Sequence, residues 1–448
     1  MQLSNEQQSA IDSIINNDSN LFFLTGKAGT GKSTVTRELI FQARQNGLNV
    51  VVTAPTGIAA LNVGGETLHR FLALNQYSTL QRPHAPRSGS VVRSLDILIV
   101  DEASMLRADM LDMLHNSLSL ARDNFKPFGG IKVVLVGDLS QLPPVVTRED
   151  KDFINSRYQS EFFFSSEIFQ RCSFSAIELS HIYRQADDRF VRLLNHCRQG
   201  TKLDQIIGYL NAEKSVKRDE DATGAILCAT NKRCAEINES NLAKLDSETF
   251  TFYALVLGDI KQSEYPAAER LDLKAGARVM VIKNIYDDRM EMIACNGDLA
   301  YVVSVHENIA VDVKLDRNNQ VVTLQNETWE KAQSSTKNGE LVKEPTGSFT
   351  QIPLTLAWAI TIHKSQGQTI DNVCVDLSRR MFSHGQLYVA LSRCTSLAGL
   401  QILGKAEVRD VIQHPLVTRF VNNGFTIKQE IKGPSALRQE VTFSEVAA

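Results

Sequence analysis

Short, mostly apolar runs separated by polar or glycine-rich turns recur through the first half of the chain. The runs at residues 21–24, 50–54, 95–100 and 131–136 predict buried β-strands, and residues 34–42 predict a helix between the first two. Strand and helix alternating at this spacing indicate a parallel sheet with crossover helices. Ligands bind at the carboxyl ends of the strands in such sheets, so the residues that follow each run are the first candidates for a site.

The second half of the chain combines an α/β pattern with a different one. Residues 226–231 predict the first strand of a second α/β domain, to which residues 361–369 and 385–393 also belong. Between them, over roughly residues 277–351, apolar and polar residues alternate around a polar turn at 317–320, which predicts short antiparallel strands. The alternating apolar residues are Val311, Val313, Leu315, Val322 and Leu324. The sequence therefore predicts an all-β insertion in the second domain.

Composition indicates a water-soluble globular protein with roughly three domains. The 448 residues are 43% hydrophobic and 22% charged, and no apolar run approaches the ~18 residues that a membrane span needs. We therefore expect no membrane association and no signal peptide. Seven cysteines without a CxxC pair indicate neither a zinc site nor a disulfide framework, and we expect reduced thiols in a cytoplasmic compartment. A net charge of −3 means that any site for a polyanion must be a local patch.

Residues 26–33, GKAGTGKS, form the strongest chemical signal in the sequence. They join a predicted strand to a predicted helix, as in loops that cradle phosphates, where glycines let successive backbone N–H groups surround an anion. The helix N-terminus adds partial positive charge, Lys32 reaches the β- and γ-phosphates, and the Ser33 hydroxyl can ligate Mg²⁺. A glycine-rich turn with a chance lysine is the simpler alternative, but every fixed position of the motif is filled. We predict that a nucleoside triphosphate contacts Gly26, Ala28, Gly29, Thr30, Gly31, Lys32, Ser33 and Thr34.

Polar residues also follow the later predicted strands of the first domain. Asp101 and Glu102 come directly after one strand, where one carboxylate can hold Mg²⁺ through water while the other orients or deprotonates the attacking water. Gln141 lies just past the next strand, where it could contact the γ-phosphate and report its loss. Arg184, which is far from Lys32 in the sequence, is the kind of residue that completes a phosphate site from a second domain.

Two interpretations of Gln7 remain open. Ser4 could cap the first helix, with Gln7 three residues later completing a capping box. Alternatively, the amide of Gln7 offers a donor and an acceptor together and could read the edge of adenine. An amide does one of these at a time, and the neighbouring Gln8 could cover the other role.

Two further stretches have both a structural and a functional interpretation. The simpler interpretation of residues 67–71, TLHRF, is an amphipathic helix turn with Leu68 and Phe71 buried. Residues 81–93 are rich in Pro, Ser, Gly and Arg, which predicts a small excursion from the first domain. A basic, proline-stiffened protrusion could push against a duplex, although most such loops are merely solvated.

Ten motifs taken in order resemble the Pif1-like branch of helicase superfamily 1, in a bacterial form. They are LSNEQ, GKAGTGKS, TAPTGIAA, TLHRF, DEASM, GDLSQLPPV, IYRQ, CATN, AWAITIHKSQGQT and GQLYVALSRC, and they cover residues 3 to about 400. The segment KPFGGIKVVLVGDLSQLPPV is more similar to the Pif1-like branch than to the UvrD-like branch. RecD-like enzymes share several of these motifs and are the relatives most easily confused with it.

The resemblance implies an α/β fold with two RecA-like P-loop domains, ATP in the cleft between them, a small wedge insertion in the first domain and an SH3-like β insertion in the second. The implied boundaries are residues 1–65 and 95–178 for RecA-like domain 1A, 66–94 for wedge subdomain 1B, 179–276 and 352–428 for RecA-like domain 2A, 277–351 for SH3-like subdomain 2B, and 429–448 for a frayed tail.

The resemblance also assigns roles residue by residue. The ATP site would consist of Gln7 at adenine, Lys32, Ser33, Asp101 and Glu102 at phosphate, Mg²⁺ and water, Gln141 at the γ-phosphate, and Gly367 with the arginine fingers Arg184 and Arg393 from the second domain. The positions matching those that line the single-strand channel are Thr56, Gly57, His69, Arg70, Asn231, Thr361, His363 and Lys364.

The implied function is that of an ATP-dependent DNA helicase that uses ATP and Mg²⁺ and moves 5′ to 3′ on single-stranded DNA. Forked duplex DNA would be its main substrate, with G-quadruplexes and RNA–DNA hybrids as further candidates, and DNA repair, recombination and telomere maintenance as its settings. We expect a cytoplasmic, bacterial, nucleoid-associated location, and the lack of a long N-terminal extension or organelle presequence argues against a eukaryotic organellar role. The direction of movement rests on the resemblance alone. The alternatives are a nucleotide-switched DNA clamp that does not unwind, a RecD-like helicase subunit, and a small-molecule phosphotransferase.

Overall fold

The computed structural model describes residues 3–56, 59–60, 63–73, 89–185, 187–217, 222, 224–260, 262–287, 289, 291–307, 309–337 and 340–425. Its residues form two compact units. Unit 1 is drawn from Met1–Tyr183, Ala332–Glu344 and Gln413–Ala448, and unit 2 from Arg184–Lys331 and Pro345–Ile412.

A parallel sheet of six strands forms the centre of the described part of unit 1. The strands are β1 (Leu21–Gly26), β2 (Val50–Ala54), β3 (Glu66–Thr67), β4 (Ile97–Val100), β5 (Lys132–Gly137) and β6 (Ser175–Leu179), in the order β3-β2-β4-β5-β1-β6. All neighbouring strands run parallel, with Leu21 opposite Val133 and Val50 opposite Ile97. Helices cover both faces of such a sheet, which explains why these strands appear in the sequence as nearly continuous apolar runs. The predicted α/β fold and its four strands in this unit are confirmed.

The two faces of the unit 1 sheet pack against different helices. The helices in this part of the chain are α1 (Asn5–Asn16), α2 (Lys32–Gln45), α3 (Leu68–Phe71), α4 (Gly89–Ser94), α5 (Ala108–Arg122), α6 (Arg148–Arg157) and α7 (Glu167–Arg171). Successive residues of a strand point to opposite faces. Phe22 therefore packs with Ile11 of α1 and Leu39 of α2, whereas Phe23 packs in a second cluster with Leu114 of α5.

The remaining strands begin with β7 (Ser215–Val216), β8 (Ala225–Cys228), β9 (Phe250–Tyr253), β10 (Leu255–Gly258), β11 (Arg270–Leu273), β12 (Arg278–Val281), β13 (Ile285–Tyr286), β14 (Met292–Ala294), β15 (Leu299–His306) and β16 (Ala310–Leu315). They continue with β17 (Val321–Gln325), β18 (Glu327–Lys337), β19 (Glu340–Gln351), β20 (Leu354–Leu356), β21 (Ala359–Thr361), β22 (Val373–Asp376) and β23 (Leu400–Leu403). The helices are α8 (Asp188–Gln199), α9 (Leu203–Glu213), α10 (Asn231–Ala243), α11 (Gln386–Ser392) and α12 (Pro415–Asn422). Short 3₁₀ segments in the whole chain include Ala103–Met105, Pro127–Gly130, Phe163–Ser165, Gln262–Glu264 and Val408–Asp410.

Unit 2 contains a second parallel sheet, in the order β21-β8-β22-β23-β7. Its β8 is the strand predicted at residues 226–231, and β21 leads directly into the TIHKSQGQT motif. Two α/β sheets in one chain are the arrangement that the sequence predicts.

The predicted all-β insertion is present and is longer than predicted. Antiparallel strands β12, β15, β16, β17 and β20 form one sheet, and smaller sheets join β10 with β19 and β18, β9 with β11, and β13 with β14. Val311, Val313 and Leu315 are buried in its core, as the alternation indicates. The β region runs from β9 to β20 and therefore exceeds residues 277–351 at both ends. Leu271 and Leu273 of β11 follow the same alternation outside the predicted boundary.

The segment after Ile412 differs from the predicted domain boundaries. The sequence predicts that residues 352–428 belong to one domain, whereas the structure assigns Gln413 onward to unit 1. Phe420 of α12 is fully buried in the unit 1 core, and its ring stacks on that of Phe164 with centroids 4.5 Å apart. An amphipathic helix buries its apolar face, but its sequence does not specify which core receives it. Most of the predicted wedge, the whole predicted 429–448 tail and Gly57 lie outside the described residues.

Candidate nucleotide and nucleic-acid site

The phosphate-loop motif lies where the sequence predicts it, between the end of β1 and the start of α2. Gly31 caps α2 in the left-handed conformation, at φ +84°. A Cβ on Gly31 would lie 2.6 Å from Nε2 of Gln7, and one on Gly26 would lie 2.8 Å from the carbonyl oxygen of Leu179. The positive φ of Gly31 and the backbone contact at Gly26 both favour glycine. The N-terminus of α2, where helices bind anions, begins directly after this loop.

The side chain of Lys32 lies over the loop from which it comes. Its ammonium donates to the carbonyl oxygens of Gly26 at 2.7 Å and Lys27 at 3.0 Å, and the Thr30 hydroxyl donates to the same Lys27 carbonyl at 3.0 Å. Ser33 is exposed on the first turn of α2, and Thr34 next to it is half-buried. The loop thus presents an ammonium and a hydroxyl beside a helix N-terminus.

The first interpretation of Gln7 is confirmed, and the second is not tested. The capping box is complete, because the backbone N–H of Ser4 donates to Oε1 of Gln7 and the backbone N–H of Gln7 donates to Oγ of Ser4. Gln7 is buried and its Nε2 faces Gly31. The amide oxygen therefore serves the cap, while the amide nitrogen lies against the phosphate loop.

The acidic pair stands at the end of β4. Glu102 has a left-handed backbone, at φ +50°, and its N–H donates to Oδ1 of Asp101 at 2.9 Å. Burial raises the pKa of the Asp101 carboxyl, and the Glu102 N–H together with the nearby Lys32 ammonium acts in the opposite direction. The backbone after Glu102 packs closely on β5, since a Cβ on Gly137 would lie 3.0 Å from the amide nitrogen of Ala103.

Gln141 follows β5, as predicted. It is buried, and its N–H donates to the carbonyl oxygen of Asp138 at 2.9 Å, while the Ser140 N–H donates to Oδ1 of Asp138 at 3.1 Å. Since β5 lies between β4 and β1, the sheet brings the carboxyl ends of the three strands together. Gln141, the acidic pair and the Lys32 loop therefore share one edge of unit 1.

Residues 180–183 also contact this edge, and sequence reasoning did not include them in the site. The Glu6 carboxylate accepts from the N–H and from Oγ of Ser180, both at 2.7 Å. Burial acts to raise the pKa of Glu6, but the Ser180 hydrogen bonds outweigh it and the pKa is lowered. The N–H of Tyr183 donates to the carbonyl oxygen of Gly29 at 2.8 Å, and the Tyr183 side chain is 50% exposed. The position of Tyr183 next to Arg184 in IYRQ is the sequence signal that could have indicated it.

In unit 2, the two arginines predicted to act on phosphate converge on one residue. Nη1 of Arg184 donates to the carbonyl oxygen of Ser392 at 3.2 Å, and Nη2 of Arg393 donates to Oγ of Ser392 at 2.9 Å. Arg393 is only 1% exposed, and its Nη1 donates to the carbonyl oxygens of Ser365 and Gln368, which flank Gly367. Gly367 has φ +81°, and a Cβ added to it would meet no atom within 4 Å. Gln185, which sequence reasoning did not single out, contacts the same backbone.

The nucleic-acid candidates of unit 1 follow β2 and β3. Oγ1 of Thr56 accepts from the N–H of Ala59 at 3.3 Å. His69 on α3 is exposed, and Arg70 lies 3.8 Å from the carboxylate of Glu66. The helix turn predicted over TLHRF is confirmed, with Leu68 and Phe71 buried.

The candidates of unit 2 follow β8 and β21, which are parallel neighbours. Asn231 is exposed at the start of α10. Oγ1 of Thr361 accepts from the N–H of Lys364 at 3.2 Å, and Lys364 is exposed. His363 is half-buried, and this burial lowers the pKa of its imidazole. The sheet thus brings these four side chains to one edge.

Among the residues that the structure describes, there is no candidate metal-binding cluster and no candidate membrane span. No group of three or more His, Cys, Asp or Glu side chains there is arranged to hold a metal ion. No helix in the described ranges has the length and apolar character needed to cross a bilayer. None of the seven cysteines, all of which lie in the described ranges, forms a disulfide.

A glycine-rich loop at the end of a central parallel strand, with a lysine, an acidic pair and a glutamine on adjacent strand ends, defines a P-loop nucleotide-binding protein. A family profile described as PIF1-like helicase matches residues 2–205. The ATP-dependent DNA helicase Pif1 of Bdellovibrio bacteriovorus is 32% identical over 435 residues, which cover 94% of this chain and 92% of that protein. The chain belongs to the PIF1-like helicase family.

Other relatives are longer than this chain. The ATP-dependent DNA helicase PIF1 of Emericella nidulans is 30% identical, over 98% of this chain and 65% of that protein. The chain therefore spans about two-thirds or less of the length of the first curated relatives that it matches.

Solved structures agree with the family assignment. Pif1 from Bacteroides sp in complex with ADP-AlF4 is 33% identical, with a TM-score of 0.83 over 94% of this chain and 97% of that one. Bacteroides Pif1 bound to ssDNA has the same identity and coverage and a TM-score of 0.67.

Proposed function

We propose that this protein is an ATP-dependent DNA helicase that moves 5′ to 3′ along single-stranded DNA and unwinds the duplex ahead of it. The observation that carries the proposal is the set of Lys32, Asp101 and Gln141 on the adjacent ends of β1, β4 and β5, in a chain of the PIF1-like helicase family. These are the side chains that hydrolysis of a nucleoside triphosphate requires. The direction of movement is taken from the family.

Within unit 1, the resemblance to the family assigns the proposed roles, and the position of each group supports them. Lys32 leaves its loop carbonyls to bind the β- and γ-phosphates, and Gln7 reads adenine through Nε2, because its Oε1 is committed to the cap. Glu102 orients the attacking water and accepts its proton, while Gln141 contacts the γ-phosphate. Tyr183 lies beside Gly31 and adds a ring to the same edge.

Magnesium fits the donor set at this edge. The exposed Ser33 hydroxyl and the Asp101 carboxylate are hard oxygen donors of the kind that Mg²⁺ prefers. The ion supplies charge neutralisation of the phosphates when it is bound. Burial disfavours an ionised Asp101, so a site that keeps this carboxylate charged needs a nearby cation.

Unit 2 provides the groups that respond to hydrolysis. Arg184 and Arg393 contact the phosphates of the nucleotide bound by unit 1, and loss of the γ-phosphate removes these charge-assisted hydrogen bonds. Gly367 supports the turn that Arg393 holds. If the two units grip the strand alternately, each cycle of hydrolysis becomes a step along DNA.

Single-stranded DNA is the proposed partner of the residues that follow β2 and β3 in unit 1 and β8 and β21 in unit 2. Thr56, His69 and Arg70 in unit 1, with Asn231, Thr361, His363 and Lys364 in unit 2, supply hydroxyl, amide, imidazole and cationic groups for the backbone and bases. Forked duplex DNA is the proposed substrate for unwinding, and G-quadruplexes and RNA–DNA hybrids are further candidates. Work on DNA in a bacterial cell implies association with the nucleoid.

Hydrolysis and unwinding measured side by side test the proposal. ATP turnover should rise strongly when single-stranded DNA is added, and a labelled strand should be displaced from a forked duplex only with ATP and Mg²⁺. DNA-stimulated turnover without displacement would favour the clamp. Turnover indifferent to DNA would favour the phosphotransferase and reject the proposal.

A further inference from the structure

Gln185 is a buried amide at the start of unit 2 that forms two hydrogen bonds and leaves one polar atom unsatisfied. It is 4% exposed, and its Nε2 donates to the carbonyl oxygens of Ser392 at 3.3 Å and Cys394 at 3.1 Å. Its Oε1 is buried, and the described structure provides no hydrogen-bond partner for it. A buried acceptor without a partner costs free energy, whereas an apolar side chain of similar volume would avoid that cost. Stability alone therefore does not explain an amide at this position.

The two carbonyl groups that Gln185 holds are those on either side of Arg393. Arg184, the residue before Gln185, donates from its guanidinium to the same Ser392 carbonyl. Arg393 donates to the Ser392 hydroxyl, which in turn donates to the carbonyl oxygen of Val389. Residues 184–185 and 392–394 are thus joined through two backbone carbonyls, and the carbonyl of Ser392 accepts from both Arg184 and Gln185.

This arrangement constrains the geometry of both arginines at once. A phosphate-binding guanidinium contributes to catalysis only when it is held close to its productive position, and a displacement of about 1 Å can cost roughly 100-fold in rate. Arg184 and Arg393 lie 209 positions apart, the same separation as Gln185 and Cys394. Among the described elements, the two arginines share no helix or strand. The Gln185 amide connects the segment of Arg184 directly to the segment of Arg393 through its hydrogen bonds to Ser392 and Cys394.

We propose that Gln185 is a positioning residue that holds Arg184 and Arg393 in register, so that the two guanidinium groups act on the triphosphate together. The inference rests on the proposed function. Gln185 contacts neither nucleotide nor DNA in this account, and its effect on hydrolysis passes through the two arginines.

Gln185→Leu tests the proposal, with Gln351→Leu as the matched control. Gln351 is also a buried amide of unit 2, and its Nε2 donates to the carbonyl oxygens of Phe252, Ala268 and Glu269, within the β region. In Q185L, we expect the kcat of single-strand-stimulated ATP hydrolysis to fall about tenfold to 100-fold, with the KM for ATP and the Kd for single-stranded DNA changed by less than about threefold. Q351L should lower thermal stability without lowering kcat.

Two further measurements separate positioning from a merely structural role. The affinity of Q185L for ADP with aluminium fluoride should fall in step with kcat, while its affinity for ADP alone should stay within about threefold, since only interactions made in the transition state are lost. The losses of kcat in Q185L and R184A should be less than additive in the double variant Q185L/R184A, because part of the effect of Gln185 passes through Arg184. If Q185L does not fold, the isosteric Gln185→Glu, which removes the two donated hydrogen bonds, must show the same pattern.

The outcomes distinguish this inference from the proposed function. Three outcomes would reject the positioning role alone, provided that wild-type hydrolysis is normal. They are an unchanged kcat in Q185L, an equal loss of kcat in Q351L, and additive losses of kcat in the double variant. A wild-type protein whose hydrolysis does not respond to DNA would reject the proposed function and this inference with it.

Discussion

The ammonium of Lys32 donates to the carbonyl oxygen of Gly26 at 2.7 Å, so the lysine of the phosphate loop is hydrogen-bonded across the loop that it serves. A triphosphate replaces these neutral carbonyl acceptors with negatively charged oxygens, so that the ammonium gains the attraction between two opposite full charges. The ammonium is therefore held at the loop before the nucleotide binds, and its contacts with the phosphates favour binding.

Lys32→Ala should abolish hydrolysis while leaving the fold and DNA affinity largely intact. Removing one preorganised donor to developing charge costs about 100- to 1,000-fold in kcat, and we expect a loss of at least this size in a steady-state ATPase assay. Lys27→Ala is the control, since Lys27 contributes its backbone carbonyl rather than its side chain to the contacts around Lys32. Hydrolysis retained in K32A would remove Lys32 from the site.

Glu102→Gln should bind ATP with near-normal affinity but turn it over slowly. Loss of a general base costs roughly 100- to 10,000-fold, and the amide keeps the size and the left-handed backbone position of Glu102. Rapid-quench single-turnover kinetics with a parallel nucleotide-binding measurement provide the test. A single-turnover rate equal to that of wild type would mean that another group positions the water.

Arg184→Ala should lose about 1,000-fold in hydrolysis, the lower end of the contribution of an arginine that contacts a transferring phosphoryl group. The matched control is Arg189→Ala, an exposed arginine at the start of α8. Circular dichroism should show both variants folded. A structure with a bound ADP–aluminium fluoride complex in which Arg184 pointed away from the phosphates would end the assignment.

Phe420→Ala tests the assignment of α12 to unit 1. The ring is fully buried between Phe164, Phe169 and Phe425, so its removal should destabilise the protein by about 3–5 kcal/mol in denaturant titration. Phe125→Ala, at a side chain that is 94% exposed, should change stability by no more than about 0.5 kcal/mol. Similar small effects of both substitutions would contradict the packing of α12.

The ionisation of Asp312 makes the stability of the β region depend on pH in the acidic range. Hydrogen bonds from Thr323, His306 and Ser304 lower the pKa of this carboxyl to about 2, from an ordinary value of 3.8. The ionised carboxylate therefore stabilises the fold above about pH 3.8, and this contribution is lost as the pH falls toward 2. Asp312→Asn should lower the melting temperature at pH 7, and the difference from wild type should shrink below pH 3.8. Asp152→Asn, at an exposed position on α6, should show no such trend.

The sequence predicts the central strands and the phosphate loop well because their signals are local. Strands β1, β2, β4 and β5 are buried on both faces and so appear as apolar runs, and the capping box of Ser4 and Gln7 depends only on residues three apart. The bounds of the β region are less well predicted, because strands as short as β9 and β11 offer few alternating positions.

The contacts that sequence reasoning missed join residues far apart in the chain. Glu6 holds Ser180 across 174 positions, and Gln185 holds Cys394 across 209. The pattern of apolar and polar residues does not indicate such pairs, because each partner appears in the sequence as an ordinary polar residue. The destination of Phe420 is hidden for the same reason, since its helix shows an apolar face but not the core that receives it.

If the proposed function is right, ATP hydrolysis drives this protein along single-stranded DNA in one direction. A single DNA with a central single-stranded segment and a labelled duplex of different length at each end tests it most directly. Wild-type protein with ATP and Mg²⁺ should displace only the strand reached by 5′-to-3′ movement, and K32A should displace neither. Displacement of the other strand would contradict the proposed 5′-to-3′ direction. Rapid ATP turnover on this substrate with neither strand displaced would contradict the proposal that hydrolysis drives unwinding.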